Sequence, residues 1–296
     1  MTIEYRHEPV LLQETVDLLI TDKGGLYVDA TIGMGGHAKK ILNSLDKDGK
    51  LLGFDWDPEM VNISKNNLME YGNRVKIIGT NFSNMEEVFK REGILNISGI
   101  LLDLGVSSLH FDKPQRGFSF KNEGPLDMRI NPANPLTAYT IINKWPYEQI
   151  EHLIRICGER FSHKIAKAIV ERREKKLFET TTELANFIDM ILPKTNRKSN
   201  PATKTFLALR VAVNYEFENL TKGIQKASQF LMPGGRMAII TFHSLEDRIV
   251  KETFNFMSKM GGWKMVNKKP IMPTEEEIAR NNRARSAKLR VIEKTK

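Results

Sequence analysis

Leu26-Tyr27-Val28-Asp29-Ala30-Thr31-Ile32-Gly33-Met34-Gly35-Gly36-His37, followed about 20 residues later by Gly53-Phe54-Asp55, decides the fold of this chain. The first stretch reads as a strand, a glycine turn and a helix start. The second is a strand that ends in an acid. This is how a nucleotide-like cofactor is held across the carboxyl end of a parallel sheet. Asp29 selects among such cofactors. A dinucleotide site seats a pyrophosphate at the helix N-terminus, and an acid at the strand end would repel it. The same acid suits a cationic ligand such as S-adenosylmethionine, with its ammonium and sulfonium, and Asp55 can bond ribose hydroxyls. Gly33, Gly35 and Gly36 permit positive φ and leave no Cβ to block a ligand's approach. An ordinary glycine-rich turn is the bland alternative, and the separation of Asp29 and Asp55 favours a cofactor site over it.

A chain of 296 residues suffices for one large domain or two modest ones. A hydrophobic content of 41% and a charged content of 27% are ordinary for a water-exposed globular protein. The net charge of +9 favours an anionic partner, most simply nucleic acid. Cys157 stands alone, which excludes an intrachain disulfide, fits a reducing compartment, and reads as packing on an apolar helical face. The N-terminus has no apolar secretory segment, and no apolar run reaches the ~18 residues of a membrane span. Six histidines and one cysteine show no metal-ligand spacing, so no metal is expected. A cytoplasmic protein without membrane contact is the expectation.

The first hundred residues alternate. Strands are expected at Leu26–Ala30, Lys50–Asp55, Val75–Gly79 and Ile100–Leu104, with helices at His37–Leu45, Pro58–Tyr71 and Asn84–Arg91. Such alternation means a parallel sheet with right-handed crossovers. Phe206, Leu209, Val213, Phe217, Leu220, Ile224, Ala227 and Leu231 recur at three- and four-residue steps, which predicts one long amphipathic helix stopped by Met232-Pro233-Gly234-Gly235. Arg236–Phe242 is then a buried strand, and Trp263–Val266 with Lys288–Ile292 an antiparallel hairpin at the sheet edge. Between Leu104 and Arg236 lies far more chain than one crossover needs. Residues 109–205 are therefore expected to be an inserted helical domain, with helices at Thr137–Lys144, Tyr147–Cys157, Ser162–Lys176 and Thr182–Leu192. Residues 1–108 and 206–296 form the α/β cofactor domain.

The fourth strand runs into Asp103-Leu104-Gly105-Val106-Ser107-Ser108, which faces the ligand crevice of an open sheet and is where a methyl acceptor would sit. It lacks the Asp/Asn-Pro-Pro-Tyr/Phe loop of many amine methyltransferases, which argues against a generic DNA amino-methylase. Ser107 and Ser108 supply hydrogen-bond groups, with a turn or helix cap as the alternative. Phe82 either edges an adenine ring or packs in the core. Basic charge clusters twice. Glu151–Val213 holds 13 Lys/Arg against 7 Asp/Glu, and Arg280–Lys296 holds 7 against 1. Solvated helix faces are the usual meaning of such runs, but two of them flanking one crevice favour a phosphate backbone.

Taken together, the motifs resemble the RsmH (MraW) methyltransferase family. They are His7–Glu14, Asp29–His37, Leu102–Ser108, Arg116-Gly117-Phe118-Ser119-Phe120, Pro125–Arg129, Gly158–Ser162, Pro201–Phe206, Thr241–Arg248 and the Arg283–Arg290 tail, in that order along nearly the whole chain. The resemblance implies a class I S-adenosylmethionine-dependent methyltransferase, Rossmann-like, that N4-methylates a cytidine in the decoding centre of bacterial 16S rRNA within the small ribosomal subunit. It implies that Gly35, Gly36, His37, Asp55, Phe82 and Asp103 contact the cofactor, beside the Asp29 and Gly33 read above. His110 stands where the family usually has Gln, and Ile32 and Met34 depart from its glycine loop. Bacterial cytoplasm follows, and the oligomeric state, monomer or homodimer, is left open.

For the chemistry, Asp103 is the first choice as an acceptor orienting the amino group, assisted by Ser107 and Ser108. His243, at the end of the fifth strand, is the alternative, with a structural hydrogen bond as its competing reading. Arg116, Phe118 and Arg129 are expected at the acceptor mouth, with Phe118 stacking on a base or else anchoring the insertion. Arg283, Arg285, Lys288 and Arg290 would position RNA without reading bases. A methyltransferase for another acceptor, and a non-catalytic RNA-binding assembly factor that keeps a cofactor pocket, stay open at this point.

Overall fold

After a first helix, α1 (Leu12–Leu19), the chain alternates β1 (Leu26–Asp29), α2 (Gly36–Ser44), β2 (Lys50–Asp55), α3 (Pro58–Asn67), β3 (Val75–Gly79), α4 (Met85–Glu92) and β4 (Ile97–Asp103). Then come α5 (Ser108–Asp112), α6 (Ala138–Lys144), α7 (Tyr147–Ile156), α8 (Ser162–Arg173), α9 (Thr181–Ile191) and α10 (Thr203–Asn214). The chain closes with α11 (Glu216–Phe230), β5 (Leu231–Thr241), α12 (Ser244–Met260), β6 (Trp263–Met265), α13 (Glu275–Arg280) and β7 (Lys288–Lys294). The structure is a computed structural model that describes residues 8–193 and 200–296. His7, Lys194, Arg197 and Lys198, which belong to motifs and basic segments noted above, lie outside the described residues. Among the described residues no helix is long and apolar enough to cross a membrane.

The seven strands form one sheet in the order β3-β2-β1-β4-β5-β7-β6. β3, β2, β1, β4 and β5 pair in parallel, and β7 runs antiparallel between β5 and β6. β6 and β7 are the expected edge hairpin. The chain leaves β1 toward β2 and β3, then returns to place β4 on β1's other side. That reversal opens a crevice at the carboxyl ends of β1 and β4, where open α/β sheets bind ligands. Alternate residues pack on opposite faces. Val28, Leu52, Phe54, Ile100, Leu102 and Ile239 face α4, α11 and α12, while Tyr27, Leu51, Leu101, Ala238 and Ile240 face α1 and α2. Strands buried on both sides read as continuous apolar runs, and so their bounds were visible to within a few residues.

The long helix expected through Phe206–Leu231 is instead two. Tyr215, at φ 51 and ψ 40, breaks it in the left-handed region. The cause is tertiary. Asn214 is buried, accepts from the Ile130 N–H at 2.8 Å, and donates to the Met128 and Arg210 carbonyls. Each half keeps its own apolar face, so the periodicity ran on across the break. α10 packs on α6 and α7. Accordingly the two compact units divide at Gly105/Val106 and Glu216/Phe217, against the expected 108/109 and 205/206. In the Val106–Glu216 unit, Ile141, Ile150, Leu153, Ile154, Ile165, Ile169, Leu184 and Ile188 are buried on helices α6 to α9.

Candidate active site

Three adjacent strands, β2, β1 and β4, each end in an acid: Asp55, Asp29 and Asp103. Asp29 is buried and accepts from the Thr31 N–H at 3.2 Å. Asp55 accepts from the Gly33 N–H at 2.9 Å and the Asp57 N–H at 2.8 Å. Gly33, at φ 51, turns the chain so that its N–H meets the neighbouring strand's carboxylate. The Asp103 N–H donates to Thr31 Oγ1 at 2.6 Å, which ties the end of β4 to the loop after β1. Among the described residues Asp103 Oδ1 has no hydrogen-bond partner, and Oδ2 lies 3.5 Å from His37 Nδ1.

These carboxyls oppose one another's charge. Burial pushes Asp29 up to about 7, against the Thr31 N–H and helped by the charge of Asp55. Burial likewise pushes Asp55 up to about 7, against the N–H groups of Asp57 and Gly33. Asp103 is raised well above the ordinary carboxylate value by burial, then by Asp29 and Glu246. Like charges disfavour each other's ionised form, and a cation placed among them reverses that cost. The donor set therefore fits a positively charged ligand carrying hydroxyls, and it fits a phosphate poorly.

The glycine loop is shaped from outside as well. Gly35 takes φ 88 as the cap of α2, and a Cβ on Gly36 would stand 2.3 Å from Pro9 Cγ. Phe82 begins a short 3₁₀ turn after β3 and is half-buried. A Cβ on Gly223 of α11 would come within 2.5 Å of its ring, so Phe82 packs against the core whatever else it touches. His243 is the cap of α12. Its Nδ1 accepts from the Glu246 N–H at 3.4 Å, its Nε2 lies 3.0 Å from Glu246 Oε1, and Glu246 in turn accepts from the Phe242 N–H. The structural reading of His243 is the one this geometry supports.

In the Val106–Glu216 unit, Ser107 caps α5 by accepting from the Leu109 N–H at 3.4 Å, and Ser108 is the half-buried first residue of that helix. His110 is buried, with its ring 5.0 Å from that of Phe118. Phe118 corrects an expectation. It is 5% exposed and packs among His110 and Phe111, so it cannot offer a face to an RNA base. Arg116 donates to the Arg129 and Ile130 carbonyls. Arg129 pairs with Asp127 and donates to the Pro132 and Asn134 carbonyls. Both arginines hold the loop between α5 and α6 in shape. Cys157 is buried, which pushes its thiol up to about 12, as packing requires.

The tail divides too. Arg283 and Arg285 are exposed. Arg290 is 5% exposed and its Nε donates to Asp247 Oδ1 at 2.7 Å. A guanidinium so enclosed cannot reach a phosphate backbone, and the expectation for Arg290 is withdrawn. Lys288 shares the same carboxylate, Nζ to Oδ2 at 2.9 Å, from a position less than one-third exposed. Residues the sequence reading missed are Thr31, Glu246 and Glu277. His243-Ser244-Leu245-Glu246 carries the cap-then-Glu spacing of a capping box, a usable signal. Glu277, whose carboxylate accepts from the Leu11 N–H at 2.8 Å, has none, because its partner lies 266 residues away.

The profile of the MraW methylase family matches residues 4–295. Ribosomal RNA small subunit methyltransferase H of Caldicellulosiruptor bescii is 47% identical over 98% of this chain and 99% of its own length. The protein of that name from Acetivibrio thermocellus is 45% identical over 99% of this chain and 100% of its own. Among solved structures, an rRNA methylase from Streptococcus thermophilus aligns over 98% of this chain and 99% of that one, at 12% identity and a TM-score of 0.46. The mostly parallel sheet, with β7 antiparallel near its edge, is Rossmann-like. Matched along almost its whole length, the chain belongs to the MraW methylase family.

Proposed function

We propose that this protein transfers a methyl group from S-adenosylmethionine to the N4 amino group of a cytidine in the decoding centre of bacterial 16S rRNA. The observation that carries the donor assignment is the trio of acids at the carboxyl ends of β2, β1 and β4, among which a cation is welcome and a pyrophosphate is not. Full-length likeness to methyltransferases named for the small-subunit rRNA supports the acceptor. Asp55 would hold the ribose hydroxyls, with Gly33, Gly35 and Gly36 bringing backbone close and Phe82 at the adenine. Asp29 and Asp103 would face the cationic end. Bound there, S-adenosylmethionine supplies an electrophilic methyl group on a sulfonium.

The cytosine amino lone pair is delocalised into the ring and attacks poorly. The protein's contribution is alignment, which can supply ~7–11 kcal/mol of barrier lowering. Asp103, at the carboxyl end of β4, is the candidate to accept from the amino N–H and hold the nitrogen in line. Ser107 and Ser108, which follow β4 closely, assist, Ser107 as the cap of α5 and Ser108 as its first residue. His243 acts through Glu246 as a structural support. The Val106–Glu216 unit serves substrate recognition. Arg283 and Arg285 contact phosphates, and the target base is unstacked to reach the crevice. The setting is the cytoplasm, with the small ribosomal subunit as partner.

The test is incubation with radiolabelled S-adenosylmethionine and small subunits lacking base methylation, followed by digestion to nucleosides and mass analysis. Label in N4-methylcytidine is expected. Label in another nucleoside would overturn the acceptor assignment. Binding of the donor without any label would favour an RNA-binding assembly factor.

A further inference from the structure

The peptide unit that joins Val10 to Leu11 is held at both ends. Its N–H donates to Glu277 Oε1 at 2.8 Å, and its carbonyl oxygen lies 3.1 Å from His37 Nε2. A carbonyl only accepts, so His37 donates this bond through its Nε2–H. A peptide unit is planar, and in the trans form its N–H and C=O point in opposite directions. Glu277, on α13, and His37, on α2, therefore grip one rigid plate from opposite sides. Val10, Leu11, His37 and Glu277 are all buried, so loss of either bond leaves a polar group that water does not reach.

The chain would not rest this way by itself. Leu11 takes φ 52 and ψ 38, left-handed values that a bulky side chain keeps only where its surroundings impose them. The residues just before it are held as well. Asn281 Nδ2 donates to the Glu8 carbonyl at 3.2 Å, and Arg280 lies 3.4 Å from the Glu8 carboxylate. On the other side Pro9 seats on Gly36, where a Cβ would stand 2.3 Å from Pro9 Cγ. Residues Glu8 to Leu11 are thus a strap between α13 and the start of α2. That start is Gly36-His37, the close of the glycine loop.

We propose that Glu277 is a positioning residue for the donor site. It orients the Val10–Leu11 peptide, and through that peptide it fixes the His37 ring and the close of the glycine loop. A carboxylate on the N–H also polarises the carbonyl at the other end of the plate, which strengthens the bond from His37. The effect on the donor rests on the donor-site reading given above, whereas the link from Glu277 to His37 does not.

The test compares the full-length protein with E277A and with E277Q, which keeps an oxygen to accept from the Leu11 N–H. Nitrogen-15 NMR without cofactor reads proton exchange at the Leu11 amide and at the His37 Nε2–H, the latter assigned by H37Q. Calorimetry reads the affinity for S-adenosylmethionine. E277A is expected to speed exchange of both protons by about tenfold or more and to weaken the donor by about tenfold, the loss of one bond to a charged group. E277Q should stay within about threefold of wild type in both. A Glu277 that serves stability alone would lower the melting temperature of E277A and leave the His37 proton and the donor affinity at their wild-type values, which would overturn the proposal. Should E277A not fold, E277D, which shortens the reach to the Leu11 N–H, should show the same changes in smaller measure, and no change in it would overturn the proposal. Failure of the wild type to bind S-adenosylmethionine would strike the donor-site reading instead, and the two exchange rates would then decide the link from Glu277 to His37 alone.

Discussion

Replacing Asp29 by Asn removes the buried carboxyl of the three strand-end acids while keeping an oxygen to accept from the Thr31 N–H. An acid whose folded pKa is raised contributes stability at low pH that is lost as pH climbs through the folded value. Asp29 moves from 3.8 to about 7, so its ionised form costs the cofactor-free protein about 4 kcal/mol at pH 8. At pH 5 the folded protein still holds the proton while the unfolded chain has mostly released it, and the same linkage leaves a cost of about 2 kcal/mol. D29N should therefore be the more stable protein without cofactor, by up to about 4 kcal/mol at pH 8 and about half that at pH 5. The assay is urea unfolding of both proteins at the two pH values, followed by S-adenosylmethionine titration. D29N should bind the donor at least about tenfold more weakly, because a cation loses its counter-charge. A variant no more stable than wild type at pH 8, or stabilised equally at both pH values, would refute the argument that burial, with the charge of Asp55 beside it, makes an ionised Asp29 costly until a cation is bound.

Phe118→Ala should destabilise by about 3–5 kcal/mol in thermal or urea unfolding, the loss typical of a buried aromatic, whereas a base-stacking Phe118 would leave stability unchanged and weaken RNA binding. Arg290→Ala leaves Asp247 buried with one partner fewer and should cost about 3–5 kcal/mol of stability. Arg283→Ala and Arg285→Ala should leave the melting temperature alone and each reduce the salt dependence of rRNA binding by about one unit of slope. Tyr215→Gly relieves a left-handed residue that is 43% exposed and should stabilise by about 1 kcal/mol, with loss of stability showing that the Tyr215 ring contributes more than its backbone costs.

Much of this was legible because local chemistry and tertiary placement agree along the first hundred residues. Apolar strands flank each glycine turn, and each of Asp29, Asp55 and Asp103 closes its strand, so the placing of these acids at strand ends could be read from spacing alone. The break at Tyr215 could not, since the reason for it is Asn214 bonding to a loop more than 80 residues earlier. Arginines misled for a related reason. Arg283, Arg285 and Arg290 are alike in sequence, but Arg290 lies on β7 with its side chain enclosed beside Asp247, and only the fold separates it from the exposed two. Phe118 fell on the blander of its two readings. The bond from the Leu11 N–H to Glu277 was invisible because Glu277 arrives from the far end of the chain.

The most direct test of the central claim is a crystal structure of the protein with S-adenosylmethionine bound. The account predicts the ribose hydroxyls on Asp55, the adenine beside Phe82, and the charged methionine end against Asp29 and Asp103. Donor density away from the carboxyl ends of β1, β2 and β4, or seated there without contact to these acids, would contradict it.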